Sequence, residues 1–407
     1  MAEYKISIND EILQRLFYRE EGMARLVEEV VNQALEAQVG ERLKAGRYER
    51  AEERQGYRNG YREKHIKTRI GKLTITVPRV REGTFSSEVF ASLQRCDQAL
   101  LLALMEMVVN GVSTRKVAKI TEELCGTQFS KSTVSELCRG LDPVVKEWND
   151  RPLGGKAYPF LVVDALFVRV RQEGRVRMQS VLIATGINQE GRREILGVQV
   201  GDSESEDTWD RFFGRLKERG LTGVDLVVSD DHKGLVKAIQ TNFQGATWQR
   251  CQAHFIRNLM DACPKALQKE MHGKLRMVFD APDEVTCRRL KNEVVAEYEK
   301  TAPRVVERLE TGFEDAIAVM ALPEPCRRRL RTTNGVERLN EEVRRRERVI
   351  RIFPNVDSAL RLIGAVLVEK DEEWSTDKRY INMDAYWEWK RPEQAAVKPQ
   401  QLQAQAA

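Results

Sequence analysis

The sequence predicts an α/β protein whose sheet mixes antiparallel and parallel pairing, preceded by helical and basic segments. Residues 158–200 hold three consecutive strand-like apolar runs, residues 205–251 alternate helix and strand patterns, and residues 255–320 read almost wholly as helix. At 407 residues the chain exceeds one ordinary core, and 42% hydrophobic content can bury several.

Residues 9–45 read as helix, because Leu13, Leu16, Phe17, Leu26, Val30, Val31 and Leu35 recur at helical spacing with charges opposite. The polar stretch Glu52–Asn59 breaks this pattern at Gly56. Ile66, Thr68 and Ile70, then Leu73, Ile75 and Val77, alternate about Gly71–Lys72 and predict a β-hairpin with a cationic face, ended by Pro78. Three short helices are expected over 98–141. The first is Ala99–Val109. The second follows Ser113 as N-cap and stops at Gly126, and the third follows Ser130 and carries Val134, Leu137 and Leu141. This pattern fits a helix-turn-helix, with Lys131, Ser132, Thr133 and Ser135 facing DNA, as readily as a plain three-helix spacer.

From Tyr158 the run YPFLVVDALFVRVR is a long strand, followed by strands Arg177–Gly186 and Glu194–Val200. An amphipathic helix spans 205–220 and stops at Gly220. The strand GVDLVVSDD, the helix Lys233–Asn242 and the strand Ala246–Cys251 come next. A long arginine-rich helix is expected near 334–349, and the Gln-, Ala- and Pro-rich tail after Lys390 is expected to be disordered. The resulting layout is an N-terminal helical region at 1–55, a basic hairpin region at 56–95 and a helix-turn-helix region at 96–150. A core occupies 151–254, a helical insertion 255–325, the core's C-terminal helices 326–390 and the tail 391–407.

The net charge is only +5, but positive charge is concentrated in two islands. Residues 41–82 hold 13 Lys and Arg against 6 Asp and Glu, and residues 327–351 hold 10 Arg against 4 Glu. Two islands in a nearly balanced chain suit a polyanion, although each alone is equally compatible with a solvated surface. The 7 cysteines form an odd set without a regular framework, as reduced cytosolic thiols do. No N-terminal leader pattern and no apolar run of about 20 residues is found, so a soluble, intracellular protein is expected.

Asp164 sits inside an apolar strand, where a carboxylate is costly unless paired, hydrogen-bonded or bound to metal. Asp230 and Asp231 end the apolar run Leu226–Val228, a common ligand position. Asp230 continues the strand more closely, and Asp231 is placed to cap the next helix. In the arginine-rich helix Val336, Leu339, Val343 and Ile350 form an apolar side, with Asn334, Glu337, Arg338 and Glu341 opposite. Three carboxylates from two strands and a helix can hold a pair of Mg²⁺ ions. Taken singly, each has a bland reading as a core acid, a cap or a surface acid.

The ordered blocks RNGYREKHIKTRIGKLTITVPR, VVDALFVRVR, GVQVGDSESEDTW, VVSDDHKGL, WQRCQAHFIRN and TTNGVERLNEEVRRRERVIRIFPN resemble the prokaryotic mutator-type insertion-sequence transposases over roughly residues 5–385. The resemblance implies a ribonuclease-H-like domain with a five-stranded mixed sheet, an all-helical insertion and an aspartate–aspartate–glutamate triad at Asp164, Asp230 and Glu337. It implies two Mg²⁺ ions as cofactors, with Mn²⁺ as substitute, and a Cys-x-x-His pair at Cys251 and His254. Asn334, Arg338 and Asn340 belong to the same motif region. It further implies a homodimer in the bacterial cytoplasm, nucleoid-associated when bound to DNA, acting on terminal inverted repeats and target DNA by a copy-out, paste-in route. Phosphate contacts are expected from Arg58, Lys64, Lys67, Arg69, Lys72, Arg344, Arg345 and Arg348, besides Arg338 and the helix-turn-helix residues. A DNA-binding regulator without catalysis and a nuclease that only hydrolyses are the competing classes. Cys251 and His254 with Cys263 and His272 offer four zinc-type ligands at a non-standard spacing, so a structural or site-adjacent role is favoured. Trp209 and Trp248 are expected in the core, with base stacking as the alternative.

Overall fold

The computed structural model describes residues 22–49, 52–68, 71–81, 102–113, 115–117, 119–120, 131–376 and 379–391. The chain forms two compact units, Met1–Gly140 and Leu141–Ala407.

In the first unit, helix α1 (Gly22–Leu43) packs its apolar stripe on an antiparallel hairpin of β1 (Arg58–Thr68) and β2 (Gly71–Val80). Ala24, Val31 and Leu35 share one core with Ile66, Leu73, Ile75 and Val77. Asn32 accepts a 2.8 Å hydrogen bond from the Thr76 backbone, tying helix to strand. β2 does not end at Pro78. It runs on to Val80, with Pro78 paired opposite Tyr61 beside a register shift between Arg58 and Tyr61. A two-stranded sheet has only edge strands, and there the missing proline N–H breaks no inner ladder. Residues 102–109 are helical, and Ser113 caps the following turn by accepting from the Lys116 amide at 3.3 Å. Helix α2 (Lys131–Cys138) joins them through Leu104, Val117, Val134 and Cys138. The expected helix over residues 9–21, the start of the expected helix at Ala99, the expected end of the second helix at Gly126 with the Ser130 cap, and the tail after 391 lie outside the described residues.

The second unit opens with α3 (Leu141–Asp150), followed by the antiparallel strands β3 (Phe160–Gln172), β4 (Arg175–Ile187) and β5 (Arg193–Gly201). Helix α4 (Glu206–Glu218) leads to β6 (Leu226–Ser229), and α5 (Lys233–Asn242) leads to β7 (Thr247–Arg250). The sheet order is β5-β4-β3-β6-β7, with β6 and β7 parallel to β3. This is the mixed five-stranded sheet read from the sequence. Trp209 is completely buried and stacks on Phe213 at 5.4 Å, so it is a core residue. Trp248 packs against the same core and donates to the Ser229 hydroxyl at 2.9 Å.

Helices α6 (Gln252–Ala262), α7 (Gln268–Phe279), α8 (Glu284–Tyr298) and α9 (Pro303–Ile317) build a separate apolar cluster around Phe255, Leu275, Leu309 and Phe313. After α10 (Glu324–Leu330), α11 (Asn334–Ile350) returns to the sheet, and Phe353 bridges in parallel to Val170 of β3. Helix α12 (Val356–Thr376) covers the sheet, where Asp371 accepts from the Ile195 amide at 2.6 Å and from Trp148 Nε1 at 2.9 Å.

The β4–β5 turn holds the segment after α12 through the Gly191 carbonyl, which accepts from the Tyr380 amide at 2.8 Å and the Ile381 amide at 3.1 Å. Gly191 has φ +81°, and a Cβ there would run into the Ile381 carbonyl. Gly191→Ala is therefore expected to cost about 2–3 kcal/mol. A Tm unchanged within a degree would contradict this.

Candidate active site

Strand pairing places the two aspartates. Val162 of β3 pairs in parallel with Val228 of β6. Asp164 and Asp230 each lie two residues further along, on the same face at the same level of the sheet. Asp164 is opposite Ile183 on its other side. On the far side of β6, Ser229 pairs with Arg250, and the Cys251 amide donates to the Ser229 carbonyl at 2.8 Å. Cys251 therefore sits at the N-cap of α6 beside Asp230, and His254 follows one turn into the helix.

Helix α11 completes the group from above. Its N-cap, Thr333, is fully buried, and its amide and hydroxyl each lie 3.3 Å from the Cys251 sulfur. Glu337 Oε1 is 3.2 Å from His254 Nε2. One turn on, Asn340 Nδ2 donates to Asp164 Oδ2 at 2.8 Å, while the Ala165 amide donates to Asp164 Oδ1 at 2.9 Å.

The electrostatics follow from burial. Desolvation pushes the Asp164 carboxyl up to about 6, and the fields of Glu337 and Asp230 add to it against the Ala165 hydrogen bond and His254. His254 is pushed up to about 9, chiefly by its hydrogen bond with Cys251, with Asp230 and Glu337 reinforcing the effect against desolvation. Burial raises the Cys251 thiol, but hydrogen bonds with His254 and Thr333 outweigh it and bring the thiol below its ordinary value. At neutral pH the site thus holds an imidazolium clamped between a sulfur and Glu337.

Asp231 does not cap the next helix. The N-cap of α5 is His232, without a side-chain hydrogen bond, and Asp231 forms a 2.8 Å ion pair with Arg250. That guanidinium in turn lies over the Phe255 ring at 4.3 Å. Asp231 is thereby occupied in holding β7 and α6, whereas Asp230 acts on Asp164 and His254.

Sequence reasoning missed Glu204 and His232. Glu204 accepts from Trp209 Nε1 at 3.4 Å and lies 3.6 Å from His232 Nδ1. Burial raises its carboxyl, the field of His232 and the hydrogen bond from Trp209 oppose this, and the field of Asp230 adds to it. Its only signal was an acidic residue in a polar run before α4.

Helix α11 does not present one polar side. Glu337 and Asn340 face the aspartates, whereas Asn334, Gly335, Arg338 and Glu342 line a separate cavity. Cys251 and Cys263 are the N- and C-caps of the 11-residue helix α6, about 18 Å apart by helical rise, so they cannot share one zinc ion. Arg58 turns inward, donating to the Ala45 and Gly46 carbonyls at 3.0 and 3.1 Å beside Glu36, which leaves it little to offer a phosphate. Lys64 lies on the hairpin. Lys67 and Lys72 pair across it by backbone, and Lys131, Ser132 and Thr133 open α2; the side chains of these five residues and all of Arg69 lie outside the described residues. Arg344, Arg345 and Arg348 are exposed on α11.

Carboxylate oxygens are the donors that hard divalent cations take. Among the described residues Asp164 forms no ion pair within salt-bridge distance, and the buried Asn340 Oδ1 beside it has no hydrogen bond. Among those residues no three His, Cys, Asp or Glu side chains form a ready metal cage, because Glu337 is turned to His254.

A mixed five-stranded sheet brings Asp164 and Asp230 to one level, and a returning helix packs across them and hydrogen-bonds to Asp164; the protein is of the α/β class. The chain belongs to the Mutator family of transposases, whose pattern matches residues 2–377. It is 45% identical over 390 residues to the transposase for insertion sequence element IS256 in transposon Tn4001 from Staphylococcus aureus, covering 94% of this chain and 100% of that protein. The transposase for ISRM5 from Rhizobium meliloti is 43% identical over 371 residues, 91% of this chain and 93% of that one. The transposase for IS1081 from Mycobacterium tuberculosis is 40% identical over 348 residues, 84% and 82%.

Proposed function

We propose that the chain is a DNA transposase that binds the terminal inverted repeats of an insertion sequence and performs metal-dependent strand cleavage and strand transfer. The observation carrying this reading is the convergence of Asp164, Asp230 and Glu337 in a chain of this family. The strand order, three antiparallel strands followed by two parallel ones, supports a ribonuclease-H-like core.

Asp164, Asp230 and Glu337 would hold two Mg²⁺ ions, with Mn²⁺ as substitute; when bound, these supply Lewis-acid activation of the attacking oxygen and stabilise the leaving one. The protein's own groups prepare the centre. Ala165 and Asn340 fix both oxygens of Asp164, and His254 holds Glu337 in reach. Water first attacks a phosphodiester at the element end, breaking the P–O bond and releasing a 3′-hydroxyl that takes up a proton. That hydroxyl then attacks a second phosphodiester, forming one P–O bond as another breaks. Since the nucleophiles are water and DNA, no Ser or Tyr adduct is required. Action as a homodimer on double-stranded DNA, by a copy-out, paste-in route in a bacterial cytoplasm, completes the proposal. Among the described residues no helix is long and apolar enough to cross a membrane.

The test is to incubate the purified chain with DNA carrying the ends of its own element, with Mg²⁺, with Mn²⁺, or with chelator. Strand-specific nicks and joined products in either metal, lost on chelation, are expected. Binding without cutting in both metals would refute the enzymatic reading.

Arg345 is exposed and forms a 3.5 Å pair with Glu342, an arrangement worth little to stability. Arg345→Ala should leave Tm unchanged and reduce the salt dependence of DNA binding by about one counterion. An unchanged slope of log affinity against log salt would remove Arg345 from the interface.

A further inference from the structure

Beside the carboxylates, on the adjacent face of α11, lies a cavity of about 610 Å³ whose wall carries five arginines and one lysine against two glutamates. Arg193, Arg328, Arg329 and Arg338 converge there with Trp374 and Tyr380. The Arg193 guanidinium lies 3.4 Å over the Trp374 ring and 4.6 Å from the Tyr380 ring, while that of Arg329 lies 4.9 Å from Tyr380. Stacking fixes the plane of a guanidinium without using its N–H donors, which lie in that plane.

The charges in this cavity are not balanced. Arg331 is paired with Asp280 at 2.6 Å, and Lys370 with Glu373 at 2.7 Å. Glu342, the other acid in the wall, is engaged by Arg346 and Arg345. Arg328, Arg329 and Arg338 have no ion pair among the described residues. Holding like charges together around a concave space is unfavourable unless an anion fills it. Gly335, in the first turn of α11, adds a second mark of construction. A Cβ there would stand 3.2 Å from Arg193 Nη1, so glycine admits the guanidinium to the helix end, where the amide dipoles also favour an anion.

We propose that this cavity binds the sugar-phosphate backbone of the DNA strand being cut, a few nucleotides from the scissile phosphate. The inference rests on the transposase reading and names where the substrate runs. Glu337 and Arg338 are neighbours on one helix whose full width is about 10–12 Å. At about 3.4 Å per nucleotide, the cavity contacts phosphates about two to four nucleotides from the scissile one. A free nucleotide shares this phosphate chemistry, but an extended strand also accounts for the position beside the carboxylates.

The test uses full-length protein and element-end DNA in which single phosphates are replaced, one at a time, by neutral methylphosphonates. Wild-type protein is expected to lose about tenfold in binding when the replaced phosphate lies in that window. The triple variant Arg328→Ala, Arg329→Ala, Arg338→Ala should bind unmodified DNA about tenfold more weakly and be indifferent to the same replacements. Arg193→Lys, which keeps charge but not the planar stack, should show a weaker form of the same indifference, with thermal melting confirming that each variant is folded. Equal sensitivity of wild type and triple variant at every phosphate, while wild type still binds and cuts, would overturn the cavity assignment and leave the transposase reading intact. Displacement of DNA from the cavity by free dATP at equal phosphate concentration would also overturn it. Wild type that neither binds nor cuts unmodified ends would sink both.

Discussion

Asp164→Asn is expected to lower cleavage and joining by at least about 10³-fold while leaving the metal-free protein no less stable than wild type at neutral pH. The two halves of this outcome have one cause. The Asp164 carboxyl is held up at about 6 by desolvation, above its value near 4 in the unfolded chain. The folded protein therefore keeps a proton that the unfolded chain releases. Stability from this group is fully present below about pH 4 and is lost as pH rises through about 6. At neutral pH the ionised group opposes folding by up to about 3 kcal/mol. An asparagine removes that penalty but can keep only one of the two hydrogen bonds from Ala165 and Asn340, a loss of about 1 kcal/mol. Desolvation wins, so Tm should hold or rise by a few degrees. Added Mg²⁺ should raise the Tm of wild type more than that of the variant. A variant that melts well below wild type and recovers activity at lower temperature would make Asp164 a structural residue instead.

Much of this was legible in the sequence because it depends on local pattern. The alternation in YPFLVVDALFVRVR and the apolar run before Asp230 could be read as strands, and parallel pairing of those strands is what sets Asp164 and Asp230 level. Glu337 stood out through a helical apolar stripe of Val336, Leu339 and Val343, all buried. What escaped depends on contacts between distant segments. Asp231 looked like a helix cap, but a cap is inferred from neighbours in sequence, whereas its partner Arg250 is on another strand. Pro78 looked like a strand end, yet only knowledge that its strand has no inner neighbour allows the ladder to pass it. The arginine cavity draws on β5, α10, α11, α12 and the segment at Tyr380, five places that no window of sequence spans. Asn334 and Arg338 were grouped with Glu337 by spacing, but a helix packed on a sheet has two flanks, and these residues lie on the other one.

Glu337→Gln should abolish cleavage and joining while retaining DNA binding, slightly tightened because a negative charge is removed beside a polyanion. Glutamine keeps the shape of the side chain and can still accept from His254 Nε2, so the loss isolates charge from geometry. His254 should then rank below Glu337, because it acts through Glu337. The imidazolium is charged at neutral pH, held by Cys251 and facing both Glu337 and Asp230. His254→Gln keeps a donor near Glu337 but neither the charge nor the full reach, and a loss of about 10–100-fold in cleavage rate with unchanged DNA binding is expected. Thr333→Val should cost less than tenfold, since the Thr333 amide still meets the Cys251 sulfur when the hydroxyl is gone. The graded order of Glu337, His254 and Thr333 is the discriminating result. If His254→Gln were as inactive as Glu337→Gln with its fold and DNA binding intact, the histidine would have to act on the reacting atoms directly. If it were fully active, Glu337 would need no support from α6, and the pairing of Cys251 with His254 would serve only to fasten α6 to the start of α11.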